Sequence, residues 1–179
     1  MCRAMKMLGE LPNTIFLGQS VKYPGNVQFA TLKDVPMDKR IELPVFEDTQ
    51  MGMSIGLALA GYLPISIYPR MDFLICAMNQ LVNHLDKIEL MSEGRYKPKV
   101  IIRTAIGTKK PMDSGPQHTG DYTKALKNMV NNIEVIYLDC AEVIYPEYEY
   151  AVEWKHPTIL IERGDLYDVG VQYNDQYKK

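Results

Sequence analysis

The chain has 179 residues, 46% of them apolar and 23% charged, with a formal net charge of -2. That length suits one hydrophobic core with at most a modest second module, and that charge gives no electrostatic reason to expect nucleic acid or an anionic membrane as partner. Cys2, Cys76 and Cys140 lie far apart with no CxxC pair, which argues against a disulfide framework and a zinc site and for a reducing compartment.

In chain order, residues 2–9 read as a short helix, and NTIFLGQSV (13–21) has an apolar strand core ending at Gly18. Pro24-Gly25 and Pro36 mark 22–40 as mostly irregular, with one or two helical turns at most. IELPV predicts a short strand or extended entry. The helix after it should start near Asp48 or Thr49 and stop at Gly61, where a glycine C-cap is expected. LPISIYP (63–69), β-rich and bounded by prolines, is a strand. Residues 72–91 place Phe73, Cys76, Ala77, Gln80, Leu81, His84 and Leu85 at spacings of three and four, predicting one long amphipathic helix. Then come a strand (KVIIRTAI, 99–106), a Gly-, Pro-, Lys- and Ser-rich loop (107–120), a helix (YTKALKNMV) and a strand (EVIYLDC, 134–140). A helix that tolerates Pro146 (AEVIYPEYEYAVEW) and a last strand (TILIERG, 158–164) follow. The polar, aromatic stretch from Leu166 has no strong period and reads as an arm or a partly disordered tail.

This alternation with near-continuous apolar strands predicts an α/β fold: a three-layer, doubly wound, mostly parallel sheet with helices on both faces. One domain should occupy 1–165, with 166–179 as the tail. No apolar run approaches the roughly 18 residues of a membrane span and no signal-like segment opens the chain, so a cytoplasmic protein is expected.

Ligands of open α/β sheets bind outside the carboxyl ends of the strands. That singles out Glu47 and Asp48 after the second strand, Arg70, Asp72 and Phe73 after the third, and Gln117, His118 and Asp121 after the fourth. GxGxxG, GxxxxGK[ST] and GxSxG are absent, and His84, His118 and His156 lack metal-ligand spacing. Position alone gives Glu47 a simpler role, since a carboxylate at a helix head interacts with the macrodipole for about 0.3–1 kcal/mol. Glycines 52, 56 and 61 likewise suit close packing inside any core or against a partner chain.

The stretch FEDTQMGMSIGLALAGYLPISIYPRMDFLICAMNQLVNHLDKI resembles the β-subunit of the thiamine-diphosphate-dependent 2-oxoacid dehydrogenase E1 component. The family pattern is a Glu heading a Gly/Ala helix, a GLRP turn (here Gly61-Tyr62-Leu63-Pro64), a strand, and MDF…A.DQ..N…K. It is matched by Met71-Asp72-Phe73, Ala77, Asn79-Gln80, Asn83 and Lys87. VIIRTAIG, GPQHTGDYT (like the family's QHSQ loop), NNIEVIYLD and PTILIE extend the resemblance from about residue 4 to 163.

The resemblance implies a transketolase-like pyrimidine-binding domain, holding the aminopyrimidine of thiamine diphosphate while another domain holds the diphosphate through a metal. The aligned Glu47 would hydrogen-bond ring nitrogen N1′ and promote the imino tautomer that deprotonates the thiazolium. A carboxylate is needed there because N1′ must gain a proton for the amino group to become a base. Phe73 aligns with the aromatic on the pyrimidine face and Tyr68 is expected to line the same pocket. His118 aligns with the active-site histidine, and Gln117 would orient it or the cofactor. Asp48 would cap the helix.

The family's diphosphate motif, GDG followed by Asn, is missing from this sequence, which assigns Mg2+ and diphosphate to a separate, E1 alpha-like subunit. The E1 β-subunit's second domain is also missing, which suggests a fragment or a minimised subunit. The expectation is therefore half of a split enzyme for a 2-oxo acid or ketose, assembled as a homodimer through the Gly52/Gly56 helix or as a heterotetramer. A noncatalytic assembly or regulatory protein and a transketolase-like aldehyde transferase are the alternatives. Gln19, where relatives often have Glu, and the pair Lys109-Lys110 hint at a different acidic substrate.

Overall fold

The computed structural model describes residues 1–109 and 113–167. Strands β1 (Thr14–Gly18), β2 (Arg40–Glu42), β3 (Leu63–Tyr68), β4 (Ile101–Ile106), β5 (Glu134–Leu138) and β6 (Thr158–Arg163) form a single sheet in the order β2-β1-β3-β4-β6-β5. Every neighbouring pair is parallel, so the α/β expectation holds and no antiparallel edge is present among the described strands.

A parallel sheet of apolar strands must be covered on both faces. Helices α1 (Cys2–Glu10) and α7 (Ala141–Glu153) cover one face, burying Met5, Leu8 and Tyr148 against Phe16, Ile65, Ile67 and Leu160. Helix α3 (Glu47–Leu59), the helical run 71–91 and α6 (Thr123–Met129) cover the other, burying Met51, Ile55, Leu74, Leu81 and Leu126 against Tyr68, Ile102, Ile159 and Ile161. The strand residues alternate between the two clusters, as a period of two requires. Helix α7 runs unbroken through Pro146.

The irregular segment before β2 contains only the short helix α2 (Val27–Thr31) and one 3-10 turn, Met37–Lys39. Both ends of β2 hold it in place. The buried Arg40 guanidinium donates to the carbonyls of Val21, Leu32 and Val35, while the Glu42 carboxylate accepts the N–H groups of Ser20, Val21 and Lys22 at 2.6, 2.8 and 2.7 Å.

Two expectations are corrected. Helix α3 starts at Glu47, with Phe46 in the N-cap position and no side-chain cap; Asp48 lies inside the first turn, where its Oδ2 accepts from Gln80 Nε2 at 3.4 Å. It serves the helix through the field of the free N–H groups rather than by capping. At the other end, Gly61 is left-handed (φ 92°) and Tyr62 N–H reaches the Leu57 carbonyl at 3.1 Å, which closes the helix as expected.

The long helix of 72–91 is not uniform. A turn of α-helix, α4 (Met71–Leu74), passes into a 3-10 turn (Ile75–Ala77), a π-helical stretch (Asn79–Leu85) and a final turn α5 (Ile88–Met91). The wider winding shows in the bond from Asp86 N–H to Leu81 O at 3.0 Å. Leu74, Ala77, Leu81 and Leu85 form the buried stripe, whereas Cys76 and His84 are exposed. Asp86 turns inward instead and accepts the N–H groups of Asn131 and Asn132 at 2.8 and 2.7 Å. Of the tail, only Leu166 and Tyr167 belong to the described residues; the expectation for 168–179 lies outside them.

Candidate functional site

β2 and β3 flank β1 on opposite sides, so the chain reverses direction across the sheet between them. Such a switch point opens a crevice at the strand carboxyl ends, because the connections leave on opposite faces. A cleft of about 340 Å³ lies there, walled by Gln19, Ser20, Glu47, Arg70, Phe73 and His118.

Each wall has a local cause. Glu47 opens α3, whose buried Gln50 stands one turn on and donates from Nε2 to Ile67 O at 3.0 Å and to Ser66 Oγ at 3.1 Å. These bonds tie the helix head to β3, and Gln19 Nε2 donates to Gln50 Oε1 at 3.4 Å, joining the first wall to the same anchor. Glu47 is half-buried between exposed Phe46 on one side and the cleft on the other. Phe73 stands in α4, two residues after the buried Met71.

His118 arrives on the loop after β4. Gly107, the first residue of that loop, has no side chain to keep the His118 backbone away, since a Cβ built there would meet the His118 carbonyl oxygen. Farther along, Gly120 N–H donates to both Asp72 carboxylate oxygens at 3.3 Å, and Tyr122 N–H donates to Met71 Sδ at 2.9 Å. Closed at both ends, the loop sets the His118 ring edge-on to Phe73, with centroids 5.5 Å apart and planes at 88°. His118 Nδ1 is buried and has no hydrogen-bond partner among the described residues. An unpaired buried ring nitrogen is costly unless a ligand or water completes it.

Of the eight residues singled out by loop position, the structure brings Glu47, Arg70, Phe73 and His118 to one cleft. Tyr68 is fully buried below it: its hydroxyl donates to the Glu47 backbone carbonyl at 3.3 Å, and burial pushes its phenol well above the ordinary value. It supports the Glu47 turn rather than lining the cleft. Gln117 is exposed in the 3-10 turn Pro116–His118 and is not part of the wall. Gln50, Glu42 and Ser20 were not singled out. A glutamine on the inner face of a small-residue helix was the available signal for Gln50, whereas Ser20, left-handed at φ 56°, gave none.

The structure is a parallel, doubly wound α/β domain that gathers a carboxylate, an aromatic ring and a histidine at its switch point, the place where such sheets take ligands. The chain belongs to the transketolase pyrimidine-binding domain family, whose model matches residues 4–168. It is 25% identical over 169 residues to the pyruvate dehydrogenase E1 component subunit beta of Cyanidium caldarium, covering 90% of this chain and 50% of that protein. To the corresponding subunit of Mycoplasma pneumoniae it is 28% identical over 169 residues, covering 87% and 48%. The chloroplastic subunit beta-2 of Arabidopsis thaliana is 26% identical over 171 residues, covering 92% and 41%. The chain thus spans about half the length of the curated relatives it matches.

Among solved structures, a split-gene transketolase described as an inactive beta4 tetramer superposes with a TM-score of 0.69 at 19% identity, covering 90% of this chain and 49% of that one. Transketolase from Leishmania mexicana gives 0.67 at 14% identity, covering 91% and 25%. Both likenesses bear on the fold. Among the described residues no helix is long and apolar enough to cross a membrane.

Proposed function

We propose that the chain is the pyrimidine-binding subunit of a split thiamine-diphosphate-dependent enzyme, acting on a 2-oxo acid or ketose with a separate diphosphate-binding, E1 alpha-like subunit. The cofactor, when bound, supplies a nucleophilic thiazolium carbon for attack on a carbonyl. The observation that carries the reading is the meeting of Glu47, Phe73 and His118, from three separate elements, on one cleft at the switch point.

The residues present fit the aminopyrimidine. Glu47, held on a helix head that Gln50 pins to β3, would hold the proton at N1′. Phe73 offers a flat apolar partner for the ring. His118, with Nδ1 unpaired, is left to bind the substrate or move a proton near the reacting carbon. Tyr68 would steady Glu47 from below. In this reading Mg2+ and diphosphate are held by the partner subunit.

Assembly would use the outer face of α3. Phe46 in the N-cap position, Met53 and Leu59 are exposed there with Gly56, where nothing lies within 4 Å of a Cβ and a second helix could come close, while Gly52 packs beside Gln80 of the same chain. A homodimer or a heterotetramer would cover this face. That the structurally similar split-gene transketolase chain is described as an inactive beta4 tetramer supports a subunit inactive by itself. The compartment proposed is the cytoplasm, although four of the similar plant subunits are chloroplastic.

The test is Glu47→Gln in the reconstituted pair. Turnover should fall by several orders of magnitude while the circular dichroism spectrum and melting temperature stay as in the parent. Retained turnover would remove the N1′ assignment.

A further inference from the structure

Arg70 has no part in the proposed cofactor contacts, yet it stands in the cleft wall with Glu47, Phe73 and His118. Its side chain makes one hydrogen bond, from Nη1 to the adjacent Pro69 carbonyl at 3.0 Å, and has no ion-pair partner among the described residues. Arg95 also makes a single bond, from Nε to the Ser92 carbonyl at 2.9 Å, but it is exposed, and three other guanidinium groups are more heavily engaged. Arg40 donates to three carbonyls, Arg103 pairs with Glu162, and Arg163 pairs with Asp165. A half-buried guanidinium with most of its five donors unfilled is suited to receive an anion.

Gly107 makes room for it. A Cβ on Gly107 would come within 3.2 Å of Arg70 Nε, so a larger residue would press on the guanidinium as well as on the His118 backbone. The two carboxylates that could have neutralised Arg70 are held elsewhere: Asp72 faces the Gly120 N–H, and Glu47 stands on the α3 head without reaching salt-bridge distance. Lys109, exposed three residues after the end of β4, adds positive charge to the loop that carries His118.

We infer that Arg70 is the anion-recognition residue of the cleft and selects a substrate bearing a carboxylate or phosphate group, received beside His118. The planar fork binds either group through two parallel N–H bonds, which a lysine could not reproduce. The inference rests on the proposed function for the identity of the ligand as substrate, but the anion site belongs to this chain alone.

The experiment uses the full chain by itself, 15N-labelled at arginine and histidine. Inorganic phosphate and, separately, malonate are titrated while the Arg70 Nε–Hε signal, assigned through Arg70→Lys, and the His118 ring signals are followed. A saturable shift at Arg70 with accompanying movement at His118 is expected, with the His118 response lost in Arg70→Gln. Saturation by phosphate alone assigns a phosphorylated substrate, by malonate alone a carboxylate, and by both the shared chemistry. No saturable shift with either anion, or a His118 response unchanged in Arg70→Gln, overturns the inference.

In the reconstituted pair, Arg70→Gln should raise KM at least about ten-fold with kcat little changed, as expected when a charge-assisted contact to the bound ground state is lost. Failure of Glu47→Gln to stop turnover would remove the cofactor reading and leave the anion site standing. Failure of the titration would do the reverse.

Discussion

Replacing Gly107 with alanine should push His118 out of register with Phe73. A Cβ at this position would lie 1.8 Å from the His118 carbonyl oxygen, and real Cβ atoms essentially never approach closer than 3.0 Å, so the oxygen must retreat by at least 1.2 Å. Gly107 is not among the glycines with positive φ, which makes the effect steric rather than a matter of backbone conformation. The loop cannot swing away as a unit, because Asp72 holds Gly120 and Met71 holds Tyr122, so the movement concentrates at 115–119.

Overpacking of this kind costs about 1–3 kcal/mol, and alanine's smaller unfolded-state entropy returns about 0.4–1 kcal/mol. A net loss of about 1–2 kcal/mol corresponds to a melting temperature lower by roughly 2–8 °C in a chain of this size. The sharper assay is proton NMR of the chain alone. The His118 ring sits 5.5 Å from the Phe73 centroid at 88°, so its ring-current shifts and cross-relaxation with Phe73 report the geometry directly. Both should weaken in the variant, and in the reconstituted pair a displacement near 1 Å should cost about 100-fold in turnover. Unchanged His118 shifts and an intact contact to Phe73 would refute the close-approach argument.

Gly56→Ala should separate folding from assembly: nothing lies within 4 Å of a Cβ there, so the isolated chain should gain about 0.5–1 kcal/mol from helix propensity, measured by urea denaturation. The same change should weaken association in sedimentation velocity, and unaltered association would take α3 out of the interface. Glu162→Gln should cost about 3–5 kcal/mol in urea denaturation by leaving a fully buried guanidinium without its counter-charge. Arg103 is 0% exposed; burial alone would lower its pKa, but Glu162 holds the charged form firmly in place. Glu162 also accepts from the Tyr148 and Tyr167 hydroxyls, and a loss under about 1 kcal/mol would contradict the structural role given to the cluster.

The strands were legible because burial on both faces leaves a strong signal, such as LPISIY with all six residues buried. Helix α3 was legible through its small residues and Gly61, to within one residue at its start. The run 71–91 was misread in detail because spacings of three and four fit more than one stripe, and the buried one, Leu74, Ala77, Leu81 and Leu85, leaves out Cys76 and His84. Spacing alone put Cys76 and His84 on the inner face and missed Asp86, whose partners lie some 45 residues away. The order of strands across the sheet has no local signal at all.

The site shows the same division. Glu47, Phe73 and His118 could be singled out from loop positions and family resemblance, since each follows a strand. Tyr68 was harder to place: alternation does not tell whether the last residue of β3 turns into the core or up into the cleft, and the structure turns it into the core. Gln50 and Glu42 escaped notice because they bond to backbone groups 17 to 33 residues away, pairings no local pattern encodes.

The central claim is that this chain holds half of a cofactor site, and calorimetric titration tests it most directly. Thiamine diphosphate with Mg2+ is titrated into the chain alone, then into an equimolar mixture with the product of an adjacent gene for a diphosphate-binding domain. The account predicts saturable heat in the mixture only, abolished or much weakened by Glu47→Gln. No binding in the mixture would contradict it and return Glu47 to the role of a first-turn carboxylate on α3.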